Sequence, residues 1–434
     1  MSTGTELSRA FPIGSRLNER GRLEIGGCDT VELAREFGTP AYVVAEDDVR
    51  TRARAFLRAG QESGHGDFHV VFASKAFPCT AVLELFATEG LWCDVASAGE
   101  LHLALGAGFS PERIVLHGNA KSEAELRMAL EHRVGAIVID NFDEIARLAR
   151  LVAEGAREDR GAQTVLVRVT PDVRGETHEK ISTGQADSKF GFAMGDAPAA
   201  IARVREVEGL DLRGLHAHIG SQLLSVEPFE RAAAELAKLG DFPVWDVGGG
   251  LGVQYTDDQP AGPEIEEYVS AVVRAARANG HGPEKRLMIE PGRSLCANAG
   301  VTLYTVESVK QNVSRWVAVD GGMSDNLRPM LYGARYEAHV ADRFPVPGRC
   351  GDLMECVLAG KHCESGDVIV REALLEDPAP GDIVVTPATG AYGFAMSSNY
   401  NGVPRPPVVF CKDGDARVVV RRETLEDLTA RDVR

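Results

Sequence analysis

Between about residue 69 and residue 292 one pattern recurs eight times: a short run of β-branched and aliphatic residues, then a segment whose apolar residues fall at three- and four-residue steps. The runs are HVVFASK (69–75), LWCDVAS (91–97), RIVLHG (113–118), AIVIDN (136–141), TVLVRVT (164–170), LRGLHAHIG (212–220), PVWDVGG (243–249) and RLMIEPG (286–292). Among the segments between them, SEAELRMALEHR opens on a capping box of Ser122 and Glu125. Eight strand–helix units over roughly 220–250 residues fit a (β/α)8 barrel. A doubly wound sheet has fewer strands and a Gly-rich first turn, and no G-x-G-x-x-G follows the first strand here.

The chain is too long for that barrel alone. Its 434 residues exceed the ~250–300 at which one hydrophobic core stops growing, and past Cys296 the helical period fades. VTLYTVESV, RWVAVDG, DVIVREA, DIVVTP and VVFCKDGDARVVVRR read as strands, with Asp413-Gly414 as a hairpin turn. The expectation is an α/β chain with a TIM-like barrel over residues 45–295. Residues 1–44 and 296–434 would form a discontinuous, mostly antiparallel β-sandwich or barrel domain, to which the strand TPAYVVAE (39–46) can pair. The polar, Gly-containing segment from Pro171 to Lys189 follows the fifth strand and is expected to lie over the barrel mouth.

Charge narrows the partners. The 64 acidic residues outnumber the 47 basic ones, for a formal charge of −17, and an acidic surface repels phosphate backbones and anionic lipid. No apolar run approaches the ~18 residues of a membrane-spanning helix, and the first residues lack an apolar signal-peptide core. A cytoplasmic address and a small-molecule substrate are expected, without nucleic acid or membrane. The eight cysteines (Cys28, Cys79, Cys93, Cys296, Cys350, Cys356, Cys363 and Cys411) form no C-x-x-C pair, so neither a metal site nor a redox motif is expected. Most have apolar neighbours, whereas Cys363 stands between His362 and Glu364.

Barrel active sites gather at the C-terminal ends of the strands, and the polar residues gather there too: Lys75, Asp94, Ser97, His117, Asn119, Asp140, Arg168, His216, His218, Ser221, Glu290 and Arg293. Lys75 follows the apolar run VVFAS in a chain that carries few lysines. Such an amine is either a nucleophile able to form a Schiff base or a lysine reaching out to solvent. Gly248, Gly249 and Gly250 in DVGGGLG let backbone N–H groups close on an anion, or simply make a tight turn. With Arg293 of EPGR at the next strand end, phosphate binding is the better reading. Glu290, on a buried strand, needs a partner: Arg293, or the protonated ring nitrogen of a cofactor. His218 can stack on a planar ring or hydrogen-bond within its layer. A reactive lysine, a phosphate cradle and a carboxylate for a ring nitrogen together describe a pyridoxal 5′-phosphate site.

Matching runs then extend over nearly the whole chain: FASKA, DVASAGEL, HGNAKS, ISTGQADSKFGF, LHAHIGSQ, DVGGGLG, EPGRS, DGGMSDNLRPMLYGA, GKHCESGD, ATGAY and SSNYN. In them the chain resembles the diaminopimelate decarboxylases. These belong to the ornithine, diaminopimelate and arginine decarboxylase group, pyridoxal-phosphate enzymes that share the alanine racemase barrel-plus-β fold. CESGD and RPMLYGA point to this family rather than to racemases; GKHCESGD stands where GPLCESGD is commoner. The resemblance implies decarboxylation of meso-2,6-diaminopimelate to L-lysine. It implies that Lys75 carries the cofactor, Glu290 faces its ring nitrogen and His218 stacks on the ring. Ser221, Gly248, Gly249, Gly250, Gly292 and Arg293 would surround the phosphate, closed by Tyr392. Arg328, Tyr332, Arg293 and Tyr392 would meet the substrate, Glu364 would read its distal ammonium, and Cys363 would be the proton donor. The last two would reach the neighbouring subunit's site in a homodimer.

Overall fold

Strands rich in Val, Ile and Leu on both faces belong inside a layer of helices, and a computed structural model of the chain places them there. The structure describes residues 7–155, 161–173, 188–344 and 353–433. Two units divide it. One comprises Arg52–Gly252 and Gly262–Ser294, the other Met1–Thr51, Val253–Ala261 and Leu295–Arg434.

The first unit is a closed parallel barrel. Its strands are Asp67–Ala73, Trp92–Val95, Ile114–Leu116, Ala136–Ile139, Gln163–Thr170, Leu210–Ala217, Val244–Asp246 and Arg286–Ile289. Each pairs in parallel with the next, and the eighth returns to the first with Met288 opposite His69. A two-residue strand, Phe192–Ala193, adds to the fifth. Val71, Val115, Ala136, Val138, Leu166, Val244 and Met288 form one buried cluster, as a packed barrel interior requires. The sixth strand shifts register against the fifth between Leu212 and Gly214, and against the seventh a Cβ on Gly214 would lie 2.0 Å from the Val244 carbonyl oxygen.

Helices start where the strands stop. Ser97, Ser122 and Asn141 each cap one by accepting a backbone N–H, and the Ser122–Glu125 capping box forms as expected. Outside, Ile265–Ala278 packs on Glu227–Ala237, with Phe229 edge-on to Tyr268 at 4.8 Å. Among the described residues no helix is long and apolar enough to cross a membrane.

The second unit is built on the strand Gly300–Gln311. Its first half pairs antiparallel with Ala41–Ala45 and Ile383–Thr386, its second half with Arg315–Val319. The sheet runs outward through Leu353–Ala359 to Val368–Glu376 on one side, and through Val408–Lys412 to Asp415–Val420 on the other. It is mostly antiparallel, but two pairings are parallel, Arg315–Val319 with Leu353–Ala359 and Ala41–Ala45 with Val408–Lys412. The run TPAYVVAE is thus a central strand. Leu23, Ile25, Val43, Val301, Leu303, Val385 and Val409 lie in its core. The Asp413-Gly414 turn has positive φ at both residues (52° and 86°), the backbone a two-residue hairpin needs. Residues 174–187 of the expected mouth loop lie outside the described residues, as does Cys350.

Candidate active site

Lys75 follows the first strand in a short 3-10 turn, Ser74–Ala76. Its side chain is 52% exposed, and Nζ stands 3.9 Å from Asp94 Oδ2. Asp94 is buried on the second strand, and that burial raises its pKa despite nearby His117 and Lys75.

Glu290, after the eighth strand, lies between two imidazoles. His117 Nε2 is 2.7 Å from Oε1 and His216 Nε2 is 3.2 Å from Oε2; the rings meet edge-on at 4.8 Å. Desolvation alone would raise the pKa of Glu290, but the two imidazoles outweigh it and hold the carboxyl well below the usual range. Desolvation lowers His216 to about 3, so it meets Glu290 as a neutral ring donating from Nε2–H. Arg293, a partner considered for Glu290, donates instead from Nη2 to Ser221 Oγ at 2.9 Å. Asp246 behaves oppositely to Glu290: burial first, then the charge of Glu290, push its pKa well above the ordinary value.

His218 stands just past the sixth strand. The Gly249 N–H donates to its Nδ1 at 3.1 Å, which leaves the ring proton on Nε2. Desolvation, then the cations Lys75 and Arg168, keep its pKa well below the ordinary value and the ring neutral. Arg168 is buried, 3.9 Å from Asp140 and 4.4 Å over the Phe190 ring.

The glycine run is a close approach of backbones. Gly248 and Gly250 have φ of 69° and 122°, and a Cβ on Gly249 would lie 1.9 Å from the Glu290 carbonyl oxygen. The turn is tied on both sides: Glu290 N–H donates to the Gly248 carbonyl and Leu223 N–H to that of Gly250, each at 2.9 Å. A Cβ on Gly292 would come 3.0 Å from that of Ala73. A side-chain-free turn beside a serine hydroxyl and a guanidinium suits a phosphate. An ionised, doubly held carboxylate suits a protonated ring nitrogen, and an accessible amine suits an aldehyde. These residues fit pyridoxal phosphate.

The β unit holds the other expected residues. Arg328 begins the helix Arg328–Tyr332, which also carries Tyr332. It is 5% exposed, bonds the Tyr336 hydroxyl, and lies over the rings of Tyr255, Tyr336 and Tyr392 at 4.7, 5.6 and 6.0 Å. Among the described residues no carboxylate lies within ion-pair distance of it. Burial would lower its pKa; the tyrosine hydroxyls outweigh that and raise it. Tyr392 itself has φ of 64°, a conformation costly for a bulky residue. Cys363 is exposed, unlike the other described cysteines. Its N–H donates to Asn401 Oδ1 at 2.8 Å, while Glu364 accepts the Gly366 N–H at 3.3 Å. Their turn is organised by buried Asp367, which accepts from the N–H groups of Met323 and His362 and pairs with the His362 ring at 2.7 Å.

Sequence reasoning missed five of these neighbours. Tyr255 and Tyr336 give no local signal of facing Arg328. His117 and His216 are visible as strand ends, and Asp246 only as the first residue of DVGGGLG, none of them as a companion of Glu290.

The description "Pyridoxal-dependent decarboxylase, pyridoxal binding domain" belongs to the family model that matches residues 46–297. The diaminopimelate decarboxylase of Bacillus subtilis (strain 168) is 46% identical over 438 residues, covering 96% of this chain and 97% of that one. That of Mycobacterium tuberculosis (strain ATCC 25618 / H37Rv) is 43% identical over 452 residues, covering 98% of both. Among solved structures, the diaminopimelate decarboxylase of M. jannaschii in complex with L-lysine superimposes with a TM-score of 0.89 at 31% identity, covering 97% of this chain and 98% of that one.

Proposed function

The chain belongs to the diaminopimelate decarboxylases, pyridoxal-dependent enzymes, and we propose that it converts meso-2,6-diaminopimelate to L-lysine and carbon dioxide, the last step of lysine biosynthesis. The observation that carries the substrate is Arg328: a buried guanidinium set among tyrosines, with no carboxylate of its own among the described residues, is built to receive one.

Bound pyridoxal phosphate supplies an electron sink for the pair left behind when carbon dioxide departs. Lys75 provides the amine that anchors the cofactor. Glu290, held ionised, keeps a proton at the ring nitrogen, and His218 presents its neutral imidazole to the ring face. Ser221, Gly248, Gly249, Gly250, Gly292 and Arg293 bind the phosphate, with Tyr392 closing it. Arg328, Tyr332, Tyr392 and Arg293 hold the carboxylate that is retained, and Glu364 takes the distal ammonium. This fixes which end of a nearly symmetric substrate reacts, because a wrong enantiomer leaves buried charges unpaired. Cys363 delivers the proton to the carbon that lost its carboxylate. In this reading residues 1–44 and 296–434 complete the active site of the 45–295 barrel, and the working unit is a cytoplasmic homodimer with shared sites.

The test is purified protein with meso-diaminopimelate, assayed for lysine and carbon dioxide. Borohydride reduction of the yellow enzyme should fix the cofactor on the peptide containing Lys75. Label on another lysine, or equal use of lysine and diaminopimelate as substrates, would sink the assignment.

A further inference from the structure

Asp246 ends the seventh barrel strand immediately before the glycine turn and has no exposed surface. Its Oδ1 accepts the Gly248 N–H at 3.0 Å, while the buried Oδ2 has no hydrogen-bond partner among the described residues. One side-chain atom from each of Asp246, Glu290, His117 and His216 lies within 4.8 Å of the other three. Two carboxyl groups buried this close cannot both ionise, so one retains its proton. Their surroundings decide which. Glu290 has an imidazole nitrogen at each oxygen; Asp246 has one backbone N–H.

We propose that Asp246 is a neutral carboxylic acid whose Oδ2–H is directed at Glu290, so that the pair shares one proton and the negative charge stays on Glu290. The opposed pKa directions of the two groups agree with this. Asp246 is then a positioning residue, and its importance rests on the reading of Glu290 as the carboxylate that faces the cofactor ring. It fixes the orientation of that carboxylate, and through the Gly248 N–H it ties the phosphate turn to the ring-nitrogen site. A buried carboxyl left charged there would oppose the charge Glu290 must carry; a buried acid with no acceptor would waste a donor.

The proton can be observed without turnover. Infrared spectra of the cofactor-free protein at pH 7, with carboxyl-labelled 13C-aspartate, should contain a protonated-carboxyl stretch that shifts with the label and loses a component in the difference between parent and Asp246→Asn. A label-sensitive band of undiminished intensity in Asp246→Asn, or no such band in the parent, overturns the proposal, because any remainder belongs to the other aspartates whose pKa is raised. Should that variant not fold, Asp94→Asn, Asp320→Asn and Asp325→Asn together remove the other described aspartates whose pKa burial raises, and the band that remains gives the same answer. In loaded protein, Asp246→Asn keeps a donor and should hold cofactor within about three-fold of the parent, whereas Asp246→Leu should weaken it by about ten-fold or more. Equal losses in the two variants would overturn the donor role. Failure of the Glu290 reading is a separate result: an unchanged visible spectrum of bound cofactor in Glu290→Gln while the infrared band persists.

Discussion

His216 makes the barrel interior sensitive to acid. Buried and held near a pKa of about 3, it is neutral in the folded chain across a range in which the unfolded chain protonates it. The unfolded state therefore binds more protons between pH 6.5 and 3, and stability falls as pH drops through that window. At pH 5 the contribution is about 2 kcal/mol. His216→Gln should flatten that part of the profile, read as urea midpoints at pH 7, 6 and 5; a profile as steep as the parent's would place the acid sensitivity elsewhere. Arg328 yields a prediction of the opposite character, one of activity. Its guanidinium sits among three tyrosine rings in the β unit, far in sequence from Lys75 and Glu290. Arg328→Ala should lower kcat/KM for diaminopimelate at least about a hundred-fold, the ~3 kcal/mol that a buried charge-assisted pair commands. Cofactor absorbance should stay intact, and loss of the cofactor instead would show that Arg328 serves the wrong ligand in this reading.

Lys121 governs how one barrel strand is tied to the next. Its ammonium, 1% exposed, donates to the Gly118 carbonyl after the third strand, to the Val138 carbonyl within the fourth, and to Glu144 on the following helix at 2.7, 2.6 and 2.7 Å. Removing the cation leaves Glu144 buried and unpaired, so Lys121→Met should cost about 3–5 kcal/mol of unfolding free energy. The Lys121→Met, Glu144→Leu double variant should recover part of that loss in a urea-unfolding cycle; additive losses would mean the pair is not coupled. Elements such as these differ in how plainly the sequence announces them. The barrel strands are legible because parallel strands read as unbroken apolar runs. Glu46–Glu62 escapes notice because its buried contacts are few and partly small (Val49, Ala53, Phe56 and Ala59) amid many charges. Leu353–Ala359, LMECVLA, does not announce itself as a strand, since an acidic residue interrupts its apolar run. At the site, strand ends named which residues are polar. They could not say that the third, sixth and seventh strands turn His117, His216 and Asp246 toward Glu290, because that depends on stagger around a closed barrel.

The molecule's two units bring their expected chemistry from distant stretches of chain, and Cys363 is where a second copy becomes testable. On the single chain this thiol is exposed, in a turn held by Asp367 and Asn401. A thiol can serve as a proton donor, and delivery to the carbon that lost its carboxylate works best where bulk water is excluded. An exposed thiol meets that condition only when something covers it, and a neighbouring subunit's site is the cover the family resemblance implies. If sites are shared in this way, Lys75→Ala and Cys363→Ala proteins are each nearly inactive but repair one another. In a dimer with one chain of each kind, one site receives Lys75 from one chain and Cys363 from the other, while the second site receives neither. A closed two-fold dimer contains only these two sites. Random exchange of equal amounts makes half the dimers mixed, so the pool should regain about a quarter of parental activity, and isolated mixed dimers about half. Exchange can be verified independently by native mass spectrometry of differently tagged chains. Mixed dimers that form and stay inactive would place Lys75 and Cys363 in the same chain's site, and the exposed thiol would then need its cover from within its own chain.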